Sequence, residues 1–188
     1  SWQAEINATE FDLKQLNVDW PALNGSLKLN ATGDLTTAAL SGVMNAEHGN
    51  LGIVNTDFKL QRLENNSIQI DHIKLLAPAN DTQLHVNGRW IPGSRGGNIK
   101  LDMKWQNLRW PIQQRSWFSS TRGNGSLEGT IDHYQFKLTS DSQWPDMIPS
   151  AWEIDAEGNL EGLNIHSLQV NGLDGKAIAT GQLNWSPA

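Results

Sequence analysis

Ile68-Gln69-Ile70-Asp71-His72-Ile73-Lys74-Leu75 sets apolar side chains two apart, then three apart across Asp71-His72, then two apart again. A step of two is the period of a half-buried strand, where alternate side chains share a face. The step of three would throw the apolar set of a continuous strand onto its other face. One extra residue, taken up in a β-bulge, restores the facing and bends the strand; a tight turn at the join is the alternative. The same grammar returns in Leu163, Ile165, Leu168 and Val170, and in Phe11, Leu13, Leu16 and Val18. A line of bulges would curve a sheet, and its apolar face is predicted to be the concave one.

Period-two alternation runs along most of the chain, from Ala4, Ile6 and Ala8, through Leu27 and Leu29, Phe58 and Leu60, and Leu84 and Val86, to Leu183 and Trp185. The pattern also repeats at long range. FDLKQLNVDWP, Phe11 to Pro21, comes back as LDMKWQNLRWP, Leu101 to Pro111, and Ile68, Ile70, Ile73 and Leu75 map onto Leu163, Ile165, Leu168 and Val170. These matches predict one elongated β domain over 1–188, made of two tandem repeats at approximately 2–96 and 97–188. Gly25-Ser26-Leu27 matches Gly125-Ser126-Leu127 at a longer offset, which places an insertion near 113–122.

Turn chemistry is read at Asn24-Gly25, Asn87-Gly88, Asn124-Gly125 and Asn171-Gly172, with Pro78, Pro92, Pro145 and Pro149 as further punctuation. Trp110 to Ser120 lacks strand alternation and is read as a short helix or a loop over one end of the sheet.

Composition removes several function classes. A net charge of −6 provides no basic stripe for phosphodiester backbones, so nucleic acid is not an expected partner. No apolar run approaches the ~20 residues of a membrane-spanning helix, and the opening Ser1-Trp2, already inside the alternation, reads as a segment of something longer. The absence of cysteine excludes disulfides and suits an oxidising compartment. Apolar residues are 38% of the chain, enough to cover one face of a sheet.

The nine tryptophans have two readings. Trp20, Trp110 and Trp144 precede proline directly and Trp90 and Trp185 by two, so they fall where strands end and can close the rim of the apolar face. Sugar stacking is the rival, and it requires rings such as Trp20 and Trp110 exposed side by side. Trp117, beside Phe118, is the tryptophan expected to be most exposed.

Catalytic patterns are absent from the motifs. Glu47-His48, Asp71-His72 and Asp132-His133 are adjacent pairs, which on a regular strand point to opposite faces. His85 and His166 stand alone, and Ser167 occupies the position that matches His72. Asp141, Asp146, Glu153 and Asp155 are the carboxylates that could pair across strands, and a glycosidase would need two of them roughly 5–9.5 Å apart. Asn-x-Ser/Thr triplets at Asn7, Asn24, Asn30, Asn65, Asn80 and Asn124 match the glycosylation pattern, although turns explain several of these asparagines. No metal or cofactor is expected.

The phrases GSLKLNATGDL (Gly25 to Leu35), GSLEGTI (Gly125 to Ile131), LHVNGRW (Leu84 to Trp90) and ATGQLNW (Ala179 to Trp185) resemble the TamB and AsmA-like proteins of Gram-negative envelopes. The resemblance implies an all-β, curved antiparallel or mixed sheet, folded into a taco-like shell with an apolar groove. It further implies a non-catalytic periplasmic segment of an inner-membrane-anchored protein that carries phospholipid between membranes. Such proteins work with TamA, an outer-membrane β-barrel, and are linked to outer-membrane assembly. The groove is expected to hold acyl chains on Phe11, Leu13, Ile68, Ile70, Ile73, Leu75, Met103, Phe136, Leu163, Ile165, Leu168 and Val170. A nascent outer-membrane β-strand is the alternative cargo, and a carbohydrate-binding β-domain the alternative class.

Overall fold

The structure, a computed structural model, describes residues 1–12, 24–48, 52–93, 96–111, 116–172 and 175–185. Alternating apolar and polar side chains make each segment extended, because that is the conformation that puts all the apolar groups on one side. Twelve strands result: β1 (Trp2–Asp12), β2 (Asn24–Gly33), β3 (Ala38–His48), β4 (Gly52–Arg62), β5 (Ile68–Ala77), β6 (Thr82–Ile91), β7 (Asn98–Trp110), β8 (Phe118–Thr130), β9 (His133–Gln143), β10 (Ser150–Gly158), β11 (Gly162–Gly172) and β12 (Gly175–Asn184). They form one sheet in strict chain order, every neighbouring pair antiparallel. The sheet does not close; β1 and β12 are its edges. Its shape is the curved, taco-like shell expected of an open sheet that twists and carries bulges.

Burial follows the alternation. In β6 and β7 half-buried and exposed positions succeed one another residue by residue, with Leu84, Val86, Leu101 and Met103 sheltered and Gln83, His85, Asp102 and Lys104 exposed. Among the described residues no second layer covers either face, so strands are held by ladder hydrogen bonds and by their lateral neighbours.

Two bulges lie where the spacing puts them. In β5 the pairing jumps from Ile70–Gly88 to Ile73–Val86, so that Asp71 and His72 oppose Asn87 alone. In β11 it jumps from Ile165–Gly181 to Leu168–Ala179, with His166 and Ser167 as the excess. The proposed join at Leu13 and Leu16 lies outside the described residues. A further bulge in β1 separates Ala8–Leu27 from Phe11–Gly25, and there Glu10 takes a positive φ of 58°.

Two turn expectations are corrected. Asn87-Gly88 lies inside β6 and Asn124-Gly125 inside β8. At the first of these packing requires glycine, since a Cβ on Gly88 would come within 2.8 Å of Leu101 Cδ2, whereas one on Gly125 would meet Met103 Cε at 3.4 Å, an ordinary contact. Asn24-Gly25 opens β2 and Asn171-Gly172 closes β11. The hairpins are made instead by side chains that cap the turn backbone. Asp34 Oδ1 accepts from the backbone N–H of Thr36 and of Thr37, both at 2.7 Å. Asn65 Oδ1 accepts from Ser67, and Asn159 Oδ1 from Glu161 and Gly162. Pro78–Asn80 forms a single 3₁₀ turn between β5 and β6. Of the short helix or loop read over Trp110 to Ser120, the described residues form no helix: β7 continues through Trp110, β8 begins at Phe118, Pro111, Ser116 and Trp117 belong to neither strand, and Leu108, Arg109 and Trp110 pair with Ser120, Ser119 and Phe118.

Candidate functional site

Following the register across the sheet gives two rows of residues, one from each strand, without a polar side chain in either. The first is Ile6, Leu29, Gly42, Phe58, Ile73, Val86, Met103, Gly125, Leu138, Ile154, Leu168 and Ala179. The second, beside it, is Ala4, Ala31, Leu40, Leu60, Ile70, Gly88, Leu101, Leu127, Phe136, Ala156, Ile165 and Gly181. At ~4.8 Å per strand these rows run for about 50 Å.

The residues singled out from the sequence fall on this face. Ile73, Met103 and Leu168 are in the first row, and Ile70, Phe136 and Ile165 in the second. Leu75 and Val170 share a third row, with Leu84, Trp105 and Trp152 between them, while Ile68 and Leu163 share a fourth with Trp90 and Ile99. Phe11 stands opposite Gly25, next to the first bulge. All are half-buried. Leu13 lies outside the described residues. The sequence reading left Phe58, Leu60, Leu101, Leu127 and Ile154 out of this set; their alternation was visible, but only the register puts them between the named ones.

Aromatic side chains lie over glycines on the adjoining strand. Each of Trp2–Gly33, Phe58–Gly42, Trp105–Gly123 and Tyr134–Gly158 is a direct cross-strand pair, and a Cβ on any of these glycines would collide with its aromatic partner. A large ring thereby occupies space left by a missing side chain, which keeps the face level. Trp105 is further fixed by a hydrogen bond from Nε1 to Ser120 Oγ at 2.8 Å. Ser120 Oγ is 2.9 Å from Ser140 Oγ, which contacts Ser142 Oγ in turn, so the buried hydroxyls satisfy one another.

The tryptophans divide between this face and its rim. Trp90 donates to Gly96 O and Trp185 to Leu160 O, tying strand ends to neighbouring loops. Trp144 gathers Trp117, Phe118 and Trp152 around it at ring separations of 5.9, 4.9 and 6.4 Å. Trp117, 52% exposed, is the most exposed of the described tryptophans, as anticipated. Trp20 lies outside the described residues.

The opposite face is polar and carries ion pairs across strands, including Lys59–Asp71 at 3.3 Å, Lys100–Glu128 at 2.9 Å and Lys137–Asp155 at 3.3 Å. The hydrogen bond and the charge of Glu128 raise the pKa of Lys100 above its ordinary value. At the bulge the opposite facing expected of Asp71 and His72 is corrected. Asp71 accepts from Gln61 Nε2 at 2.6 Å and His72 Nε2 lies 3.3 Å from Asp57 Oδ1, so both reach polar-face residues, as two residues crowded against one do. Asp141 is bound by Arg122 and Asp155 by Lys137, and no group of described acids and histidines is arranged to hold a metal ion.

A hollow of about 990 Å³ crosses the polar face from β3 to β10. The lining places it there: Val43 and Asn45 take part without Met44, and Lys74, Leu76, Gln83, His85, Lys104 and Gln106 flank it while Ile73, Val86 and Met103, on the apolar face, do not. Sequence spacing held this information but required the register to release it.

No helix among the described residues is long and apolar enough to cross a membrane. A family model described as TamB, N-terminal domain, matches residues 1–188. No solved structure matches the chain.

Proposed function

The chain belongs to the TamB family, matched from end to end, and on that premise we propose that it is a non-catalytic periplasmic conduit whose apolar face carries phospholipid acyl chains between the inner and outer membranes. The observation that supports this reading is the pair of unbroken apolar rows across all twelve strands. A fully sheltered methylene contributes ~0.8 kcal/mol, and an open face supplies part of that. Successive strands present nearly the same surface, so a chain sliding along the rows meets no deep minimum, while its headgroup stays in water. Phe11, Leu13, Ile68, Ile70, Ile73, Leu75, Met103, Phe136, Leu163, Ile165, Leu168 and Val170 are the proposed lining. The bulges of β5 and β11, six strands apart, support two tandem repeats at 2–96 and 97–188, and lipid would pass from one to the other across the β6–β7 pair. In this reading the segment is part of an inner-membrane-anchored protein and cooperates with an outer-membrane β-barrel such as TamA.

The test is site-specific photo-crosslinking in cells, with the probe at Ile70 and Ile165 and, as a control on the polar face, at Lys137. Lipid adducts at the first two and none at the third are expected, and Ile70→Arg or Ile165→Arg should abolish transfer while the protein stays folded. Adducts missing from both apolar sites in a folded protein would overturn the proposal.

A nascent outer-membrane β-strand is the second cargo we propose, held on the same apolar rows; peptide adducts in place of lipid adducts at Ile70 and Ile165 would favour it.

A further inference from the structure

Lys74, His85 and Lys104 stand side by side on three consecutive strands. Lys74 of β5 is the direct partner of His85 in β6, and His85 is the direct partner of Lys104 in β7. All three are exposed, and all three line the hollow on the polar face. Direct neighbours across an antiparallel pair have their Cβ atoms about 5 Å apart, so the two ammonium-bearing residues flank one imidazole at ~10 Å from each other. The arrangement is against composition, since the chain carries 20 acids and 14 lysines and arginines.

Five other bases on this face take an acid, whereas Arg89, beside Lys100, donates to Ser67 Oγ instead. Lys28 pairs with Glu5, Lys59 with Asp71, Lys100 with Glu128, Arg122 with Asp141 and Lys137 with Asp155. Among the described residues, Lys74 and Lys104 have no carboxylate within ion-pairing distance. Asp57, across from Lys74 on β4, has its Oδ1 3.3 Å from His72 Nε2, and Glu153 lies on β10, three strands beyond Lys104. Gln83, Gln106 and Asn124 line the same stretch and add amide donors.

We propose that Lys74, His85 and Lys104 form a binding site for a phosphate group in the hollow of the polar face. Two lysines spaced across one histidine suit a group with several anionic oxygens: each ammonium offers three donors, whereas a single carboxylate would occupy one of them. The concave wall concentrates the field of the two ammonium groups; of the carboxylates that line the same hollow, Asp141 is bound by Arg122, and Asp57 Oδ1 lies by His72. Val43 and Leu76, exposed apolar residues of the same hollow, give the remainder of the ligand a nonpolar contact. A soluble phosphate ester and a phospholipid headgroup share this chemistry. The site is independent of the apolar rows, which lie through the sheet on its other side.

The test uses the 188-residue chain in two assays: calorimetric titration with glycerol phosphate and with pyrophosphate, and flotation with vesicles of phosphatidylglycerol or of phosphatidylcholine. Binding to at least one anionic probe is expected, weakened tenfold or more in the double variant Lys74→Gln/Lys104→Gln and unchanged in Lys137→Gln. Binding to the soluble phosphates identifies a free ester as sufficient; binding only to phosphatidylglycerol vesicles identifies a headgroup displayed on a surface. Circular dichroism checks that the variants, all changed at exposed positions, keep the fold. Failure of every anionic probe overturns the proposal, as does wild-type affinity in the double variant or equal weakening by Lys137→Gln. None of these outcomes bears on lipid adducts at Ile70 and Ile165, so the two proposals fail separately.

Discussion

The ring of Trp105 fills the space above Gly123, its partner on the next strand, and its indole Nε1 donates to Ser120 Oγ at 2.8 Å. Gly123→Ala would set a methyl group into that ring and within 2.6 Å of Thr139 O. Overpacking of this kind costs about 1–3 kcal/mol. A lower urea midpoint is expected, and the loss should shrink in a Trp105→Leu background, where the ring no longer resists. A silent Gly123→Ala would show that the ring does not rest there.

Ser120→Ala removes the acceptor of the indole N–H and interrupts the contacts through Ser140 to Ser142. A buried donor left without a partner costs about 1–3 kcal/mol. Equilibrium unfolding should report that loss, and hydrogen exchange at the Trp105 indole should accelerate in the same variant.

Deletion of His72 leaves one residue where the bulge of β5 needs two. One half of the strand must then turn its apolar residues, Ile68 and Ile70 or Ile73 and Leu75, toward the polar side. Exposing two half-buried apolar side chains costs about 2–4 kcal/mol. His72→Ser keeps the residue count, and Ser167 already serves at the corresponding place in β11, so its unfolding midpoint should stay close to that of the parent. Equal effects of the deletion and the substitution would argue against the role of the bulge.

The turn at Asp34 holds its carboxyl below the ordinary carboxylate range. The backbone N–H of Thr37, then that of Thr36 and the Thr36 hydroxyl, hold its pKa down at about 2 in the folded chain, against an ordinary 3.8. A pKa depressed by folding contributes stability that is complete above the unfolded value and is lost as pH falls through the folded one. The stability difference between the parent and Asp34→Asn should therefore be constant above pH ~5 and narrow between about 4 and 2. A difference that does not change with pH would contradict the assignment of the turn to the ionised carboxylate.

Much of the fold is legible in the spacing of apolar residues. The step of three in Ile70-Asp71-His72-Ile73 located a bulge because a buried face tolerates no slip in register, and the same holds at Ile165 and Leu168. Asn87-Gly88 and Asn124-Gly125 misled because a glycine needed for a turn and a glycine inside a strand, such as Gly88 under Leu101, look alike in one dimension. Which it is depends on a side chain one strand away.

What the sequence by itself determined is the set of faces: period two with a three-residue join assigns the side chains outside the join to the apolar or the polar side, since that rule is local to the strand. What only the tertiary structure decided is the partnership across strands. The alignment of Ile6 with Leu29 and onward to Ala179, the ring of Trp105 over Gly123, and Lys74 beside His85 beside Lys104 all depend on register. Register is set by turns such as that of Asp34 and by bulges acting together, so it joins residues whose spacing along the chain carries no mark of their contact.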